Sequence, residues 1–169
     1  MKRFSAFIFA LVVAVTVIGC AQSVTSYGFG FPKFNREAWT LLYPKDRDTE
    51  SVKCVIFNDR TSALIRIVLD PCNGPTARYS AMSFRHLMRS AGYEVSEIIF
   101  SEDERGKYAS FTFSSRTEHG RVVAVRRPNV DKTFLLYGRW SETNDAVASD
   151  DLERLARGLD ITAYEVPSR

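Results

Sequence analysis

The chain of 169 residues is poor in the side chains that most often carry chemistry, with two histidines, His86 and His119, and three cysteines. Neither histidine has a His, Cys or carboxylate partner at metal-ligand spacing, which excludes a local zinc motif. No Gly-x-Ser-x-Gly elbow, phosphate-binding loop or dinucleotide fingerprint occurs. Neither Cys54 nor Cys72 has a base close by in sequence to activate it as a nucleophile. Acidic residues gather at Glu102-Asp103-Glu104 and at Glu142, Asp145, Asp150 and Asp151, but without the register of a calcium loop. They read as solvated turns and helix caps. The expectation is a protein that is not an enzyme and holds no cofactor or metal.

An excess of one charge is lacking too. Residues 1–19 hold two basic and no acidic residues, so of the 23 Lys and Arg and 20 Asp and Glu, 21 and 20 remain in the other 150 residues. Nucleic-acid binding, which needs a concentrated basic surface, has no support. There is no internal repeat and no low-complexity tract. The length past residue 19 suits one domain with a full hydrophobic core.

One long apolar run is present, Phe4 to Ile18, preceded by Lys2-Arg3 and followed by Gly19-Cys20-Ala21. It is shorter than the roughly 20 residues that span a bilayer, and a small residue stands before the cut, the layout of a secretory signal peptide. Val17-Ile18-Gly19-Cys20 resembles the lipobox of bacterial lipoproteins. That resemblance implies that residues 1–19 are removed and that Cys20 becomes the palmitate-bearing first residue of the mature chain, held by several acyl chains at ~0.8 kcal/mol per buried CH₂. Ala21, rather than an aspartate, implies the periplasmic face of the outer membrane. An uncleaved anchor, or cleavage near Ala21 releasing a soluble protein, are the alternatives.

Residues 20–36 read as a lipidated tether and an aromatic segment. In extended form Tyr27, Phe29 and Phe31 share one face, either as a clasp on the domain or as a contact for a partner. Residues 37–166 are then a single domain. Trp39, Leu41 and Tyr43 alternate towards a first strand, in competition with a short helix over 35–42. Residues 52–57 and 62–69 predict a hairpin about Asn58 to Thr61. With Cys20 acylated, Cys54 and Cys72 are left as an even pair for a disulfide in an oxidising compartment. Cys54 is expected opposite about residue 65, however, which leaves Cys72 ~20 Å along the strand against the ~4.4–6.8 Å a bridge spans. A disulfide and two buried free thiols both stay open.

Ala81, Phe84, Leu87 with Met88, and Ala91 recur at helical spacing, and Gly92 suits a left-handed stop, so a helix is expected from about Thr76 to Ala91. Four strands follow, over 93–101, 108–115, 121–127 and 133–140, joined by short polar turns that favour antiparallel pairing. The last has apolar groups on both faces and is expected to be buried on two sides. A second helix presents Ala148, Leu152, Leu155 and Leu159 to the core and stops at Gly158. The sum is an α+β protein with an antiparallel sheet of about six to seven strands flanked by two helices. This order of elements, from Trp39–Pro44 through the helix ending Ala91-Gly92-Tyr93 to Leu152–Leu159, resembles the PsbP-like fold, which includes DcrB-like envelope lipoproteins.

Arg78, Arg85 and Arg89, at spacings of seven and four, predict one basic stripe on the first helix, suited to clamping phosphates or carboxylates. Arg126, Arg127 and Arg139 are candidates to extend it. Together with Tyr27, Phe29 and Phe31, the stripe is the expected contact surface for an envelope protein or an anionic headgroup. The leading expectation is a non-catalytic binding or assembly module. The alternative is a carrier or sensor of small amphiphiles, with an apolar pocket between the strands and the first helix.

Overall fold

Apolar segments of period two joined by short polar turns leave antiparallel neighbours as the economical pairing, and the computed structural model has that arrangement. It describes residues 39–42, 52–70, 74–128 and 130–159, all within the unit Phe31–Leu159. The strands are β1 Trp39–Leu42, β2 Val52–Asn58, β3 Ala63–Leu69, β4 Glu94–Val95, β5 Ile99–Asp103, β6 Gly106–Ser114, β7 His119–Arg126 and β8 Thr133–Trp140. The helices are α1 Ala77–Ser90 and α2 Asp145–Gly158, the second entered through a 3-10 turn at Glu142–Asn144.

All pairings are antiparallel, in the order β1-β2-β3-β8-β7-β6. Both β4 and β5 lie against the remaining edge of β6, with Glu94 opposite Ser114 and Ile99 opposite Ser110. Eight strands therefore occupy seven positions. The expected single strand over 93–101 is broken at Ser96–Ile98, where the Ser96 hydroxyl accepts from the Thr112 amide at 2.9 Å in place of a ladder bond. The sequence shows no breaker there, because the interruption comes from a side chain bonding across to the next strand.

Turn chemistry sets the first hairpin. The buried Asn58 carboxamide oxygen accepts from the amides of Arg60 (2.9 Å) and Thr61 (3.1 Å), closing a turn in which Ser62 takes a φ of 52°. Asn58 thus faces Ala63 and Cys54 faces Ile67. The expected partner at about residue 65 is corrected by two positions, because the four-residue turn runs over 59–62, one residue later than the expected Asn58 to Thr61.

The two helices cover opposite faces. On one, α1 packs Ala77, Ala81 and Met88 on Ala109, Phe111 and Phe113 of β6, Val122 and Ala124 of β7 and Leu135 of β8. On the other, Leu152 of α2 lies over Gly138 with Ile65 and Trp140, and Arg121 of β7 reaches Ser149 and Glu153. Strands β7 and β8 are consequently buried on both sides, with Val122, Val123, Ala124 and Val125 all inaccessible, as continuous apolar runs require. Each of the three valines contributes roughly 1.5–3 kcal/mol of burial.

Helix ends match their residues. Thr76 caps α1 by accepting from the Tyr79 amide at 3.1 Å. Gly92, at φ 89°, closes it while the Tyr93 amide reaches back to the Met88 carbonyl. Leu87 corrects the expected core face: it is 58% exposed, and Ser80, 1% exposed, is buried instead, its hydroxyl bonded to the Asp70 carboxylate at 2.5 Å.

Candidate functional site

At 100° per residue, positions 78, 85 and 89 of α1 fall within about 40° of one another, so the sequence-level stripe is real on the helix surface. Its members differ in what they touch. Arg85 lies nearest the sheet and is tied down: its Nε donates to the Ser96 carbonyl at 2.7 Å and its Nη2 meets the Glu97 carboxylate at 3.1 Å. It latches α1 onto the β4–β5 connection. Arg78 and Arg89 are exposed and make no ion pair among the described residues. The Arg78 guanidinium instead stands 4.7 Å above the ring of Phe100 on β5, a stacking that favours a cation over an aromatic face. Phe100 itself is 47% exposed. Sequence reasoning missed it because an apolar residue in a strand pattern reads as core. Its exposure follows from its place on an edge strand.

The other arginines do not extend this surface. Arg126 is held by Asp131 at 2.7 Å and by the Gly74 carbonyl and Thr133 hydroxyl at 3.4 Å each. Arg139 lies 3.7 Å from Glu118. Arg127 is 7% exposed and donates to the carbonyls of Ala156 (3.0 Å), Arg157 (3.0 Å) and Leu159 (2.7 Å), to Arg105 O (3.0 Å), and to the Tyr108 hydroxyl. It neutralises the carbonyl end of α2. No local sequence signal marks that role, since the partners lie about thirty residues on.

Where the amphiphile-carrier reading put its pocket, aromatic rings pack between α1 and the strands. Phe84 of α1, Tyr137, Phe113 and Tyr93 form a chain of ring contacts with centroids 5.8, 5.3 and 5.3 Å apart. A groove of about 410 Å³ lies instead beside the start of α2, lined by polar Glu94, Ser96, Thr112, Ser114, His119 and Asp145 among others. His119 opens β7 rather than sitting in a turn, with Nδ1 3.9 Å from Asp145, whose other oxygen accepts from Trp140 at 2.8 Å. His86 is exposed on α1. Among the described residues no three His, Cys, Asp or Glu converge as a cation site, and no helix is long and apolar enough to cross a membrane.

Tyr93 and Asp103 have perturbed acidity from clear causes. The Tyr93 hydroxyl donates to Glu118 at 2.5 Å, and that bond, with burial and the carboxylate charge, pushes its pKa up to about 12. Burial would raise the Asp103 carboxyl, but the Arg105 amide, the Tyr108 hydroxyl, the Gly106 amide and the Arg157 charge together hold it below its ordinary value. Both serve architecture.

Cys20, Tyr27, Phe29, Phe31 and Cys72 lie outside the described residues. So does the side chain of Cys54.

No protein-family model and no curated protein sequence matches the chain. Solved structures do. Cyanobacterial PsbP (CyanoP) from Synechocystis sp. PCC 6803 superposes with a TM-score of 0.55 at 14% identity, over 80% of this chain and 87% of that one. This is the PsbP-like fold. LpqN, a Mycobacterium tuberculosis protein involved in cell envelope biogenesis, superposes with a TM-score of 0.55 at 12% identity, over 78% of this chain and 81% of that one. At such identities the likeness is one of architecture. Within the PsbP-like fold of this chain, Arg78 and Arg89 of α1 are exposed cations without an ion pair among the described residues, and Arg78 stands over Phe100 of edge strand β5.

Proposed function

We propose that this chain is a non-catalytic lipoprotein of the bacterial cell envelope, anchored through Cys20, whose PsbP-like domain is a binding or assembly module working at the membrane surface. The lipobox-like leader motivates the anchor, and Ala21 favours the periplasmic face of the outer membrane. The likeness to LpqN, a protein of envelope biogenesis, supports the compartment. The contact surface is narrower than the arginine stripe: Arg78, Arg89 and Phe100, with Arg85 as the latch behind them. One observation carries it. Two arginines on one helix face have no carboxylate partner among the described residues, and one of them stacks on a half-exposed aromatic.

The test is in-cell photo-crosslinking from position 100 in the native chain and in Arg78→Glu/Arg89→Glu. The native chain should give a discrete adduct that the charge-reversed chain loses while staying in the membrane fraction. An adduct of equal yield from both chains would discard the surface.

A further inference from the structure

Residues Ala77–Ser90 contain three arginines and a histidine but no Asp or Glu. Arg78, Tyr79, Met82, His86 and Arg89 fall within about 100° of arc, opposite the buried Ala77, Ala81 and Met88, and all five are exposed. Tyr79 and Met82 are 50% and 53% exposed, far more than amphipathic packing on the core needs. Phe100 prolongs this face under Arg78. Helix α2, on the opposite side of the sheet, carries four acids and two arginines. The two helices therefore differ in sign: α1 is cationic and studded with exposed apolar groups, whereas α2 has a small acidic excess, offset by Arg121 and Arg127 packed against it.

Cations interleaved with Tyr, Met and Phe on one exposed face are the chemistry of an element lying in a headgroup layer, where apolar groups enter the acyl boundary and arginines meet phosphates. Charge complementarity then fixes the occupant. An anionic bilayer attracts the outer face of α1, each arginine contributing on the order of 1 kcal/mol, and meets no comparable excess of cations on α2, whose arginines are paired with its own acids. Resting on the anchor reading above, the same bilayer is the surface always within reach, because the residues from Cys20 to Trp39 span at most roughly 65 Å.

We propose that the outer face of α1, with Phe100, docks on the headgroup layer of a membrane rich in anionic phospholipid, so that the anchored domain lies with α1 down and α2 facing away. The full-length chain is reconstituted in vesicles of phosphatidylglycerol and phosphatidylethanolamine, or of phosphatidylcholine alone, with a photo-crosslinking residue at position 82 or at position 147. Val147, on α2, is similarly exposed. Position 82 should give lipid adducts in the anionic vesicles, with at least about tenfold fewer from position 147, from phosphatidylcholine vesicles, and from Arg78→Glu/Arg89→Glu. The milder Arg78→Gln/Arg89→Gln should fall between, which separates lost charge from lost fold. Equal adducts at 82 and 147, or a yield indifferent to charge reversal, would overturn the proposal. So would a cellular adduct from position 82 that is an acidic protein with no lipid. The mass of the N-terminal peptide reads Cys20 acylation separately, so an unmodified cysteine sinks the anchor and leaves the comparison of faces standing.

Discussion

The Arg127 guanidinium donates to the carbonyl of Leu159 at 2.7 Å and 3.2 Å through two of its nitrogens, joining the end of β7 to the end of α2. A buried cation without a carboxylate in contact is ordinarily costly. Here the carbonyls of Ala156, Arg157 and Leu159 supply the negative end of a helix dipole, and the Tyr108 ring lies 5.4 Å away as a second electron-rich face.

Arg127→Met should therefore destabilise the domain by about 2–4 kcal/mol, because it leaves several carbonyls buried without donors. Arg127→Lys should recover only part of that, since one ammonium cannot reproduce the guanidinium fork. Urea unfolding followed by circular dichroism measures both. A loss under about 0.5 kcal/mol would mean the carbonyls find water instead.

Gly120 lies opposite Phe113, whose ring covers it: an added Cβ would stand 2.1 Å from the Phe113 Cζ and 2.4 Å from the Gly138 carbonyl oxygen. The ring could turn aside, but the backbone of β8 cannot. Gly120→Ala should cost about 1–3 kcal/mol by overcrowding, read from the midpoint of thermal unfolding.

The Tyr93 pKa, pushed up to about 12 from 10.0, carries a pH signature. The neutral hydroxyl is favoured in the fold, so its contribution is fully present below the unfolded pKa and is lost as pH rises through the folded value. Stability should fall between about pH 10 and 12 in the native chain, and Tyr93→Phe should flatten that limb. Asp103, held below 3.8, acts at the other end. It stabilises above its unfolded pKa and loses that contribution as pH falls through the depressed folded value. Asp103→Asn should be less stable than the native chain at neutral pH, with the gap closing in strong acid.

Arginines on one helix should separate by role. Arg85→Ala removes the bonds to Ser96 and Glu97 and should lower stability measurably, by about 0.5–1.5 kcal/mol. Arg78→Ala and Arg89→Ala should stay within about 0.5 kcal/mol of the native chain while weakening surface contact. Equal stability losses at all three positions would make the stripe structural throughout.

What was legible in the chain was whatever a local period encodes. Alternation gave the strands, Thr76 and Gly92 bounded α1, Gly158 closed α2, and the double-sided apolar run at 133–140 announced a buried strand. Features set by distant partners were not legible. The break at Ser96 depends on Thr112, the register of Cys54 on where the turn after Asn58 begins, and the outward turn of Leu87 on which helix face the sheet accepts. The candidate site was half visible for the same reason. Spacing aligned Arg78, Arg85 and Arg89, but only the fold brings Glu97 to Arg85 and Phe100 to Arg78, and only the end of α2 explains why Arg127 is buried.

The central claim is that this domain works tethered to an envelope membrane through Cys20. Mass spectrometry of the N-terminal peptide of the protein recovered from cell membranes tests it most directly. The account predicts a chain beginning at Cys20 and carrying a diacylglyceryl thioether. A peptide beginning at Met1 or Ala21, or an unmodified Cys20, would contradict it.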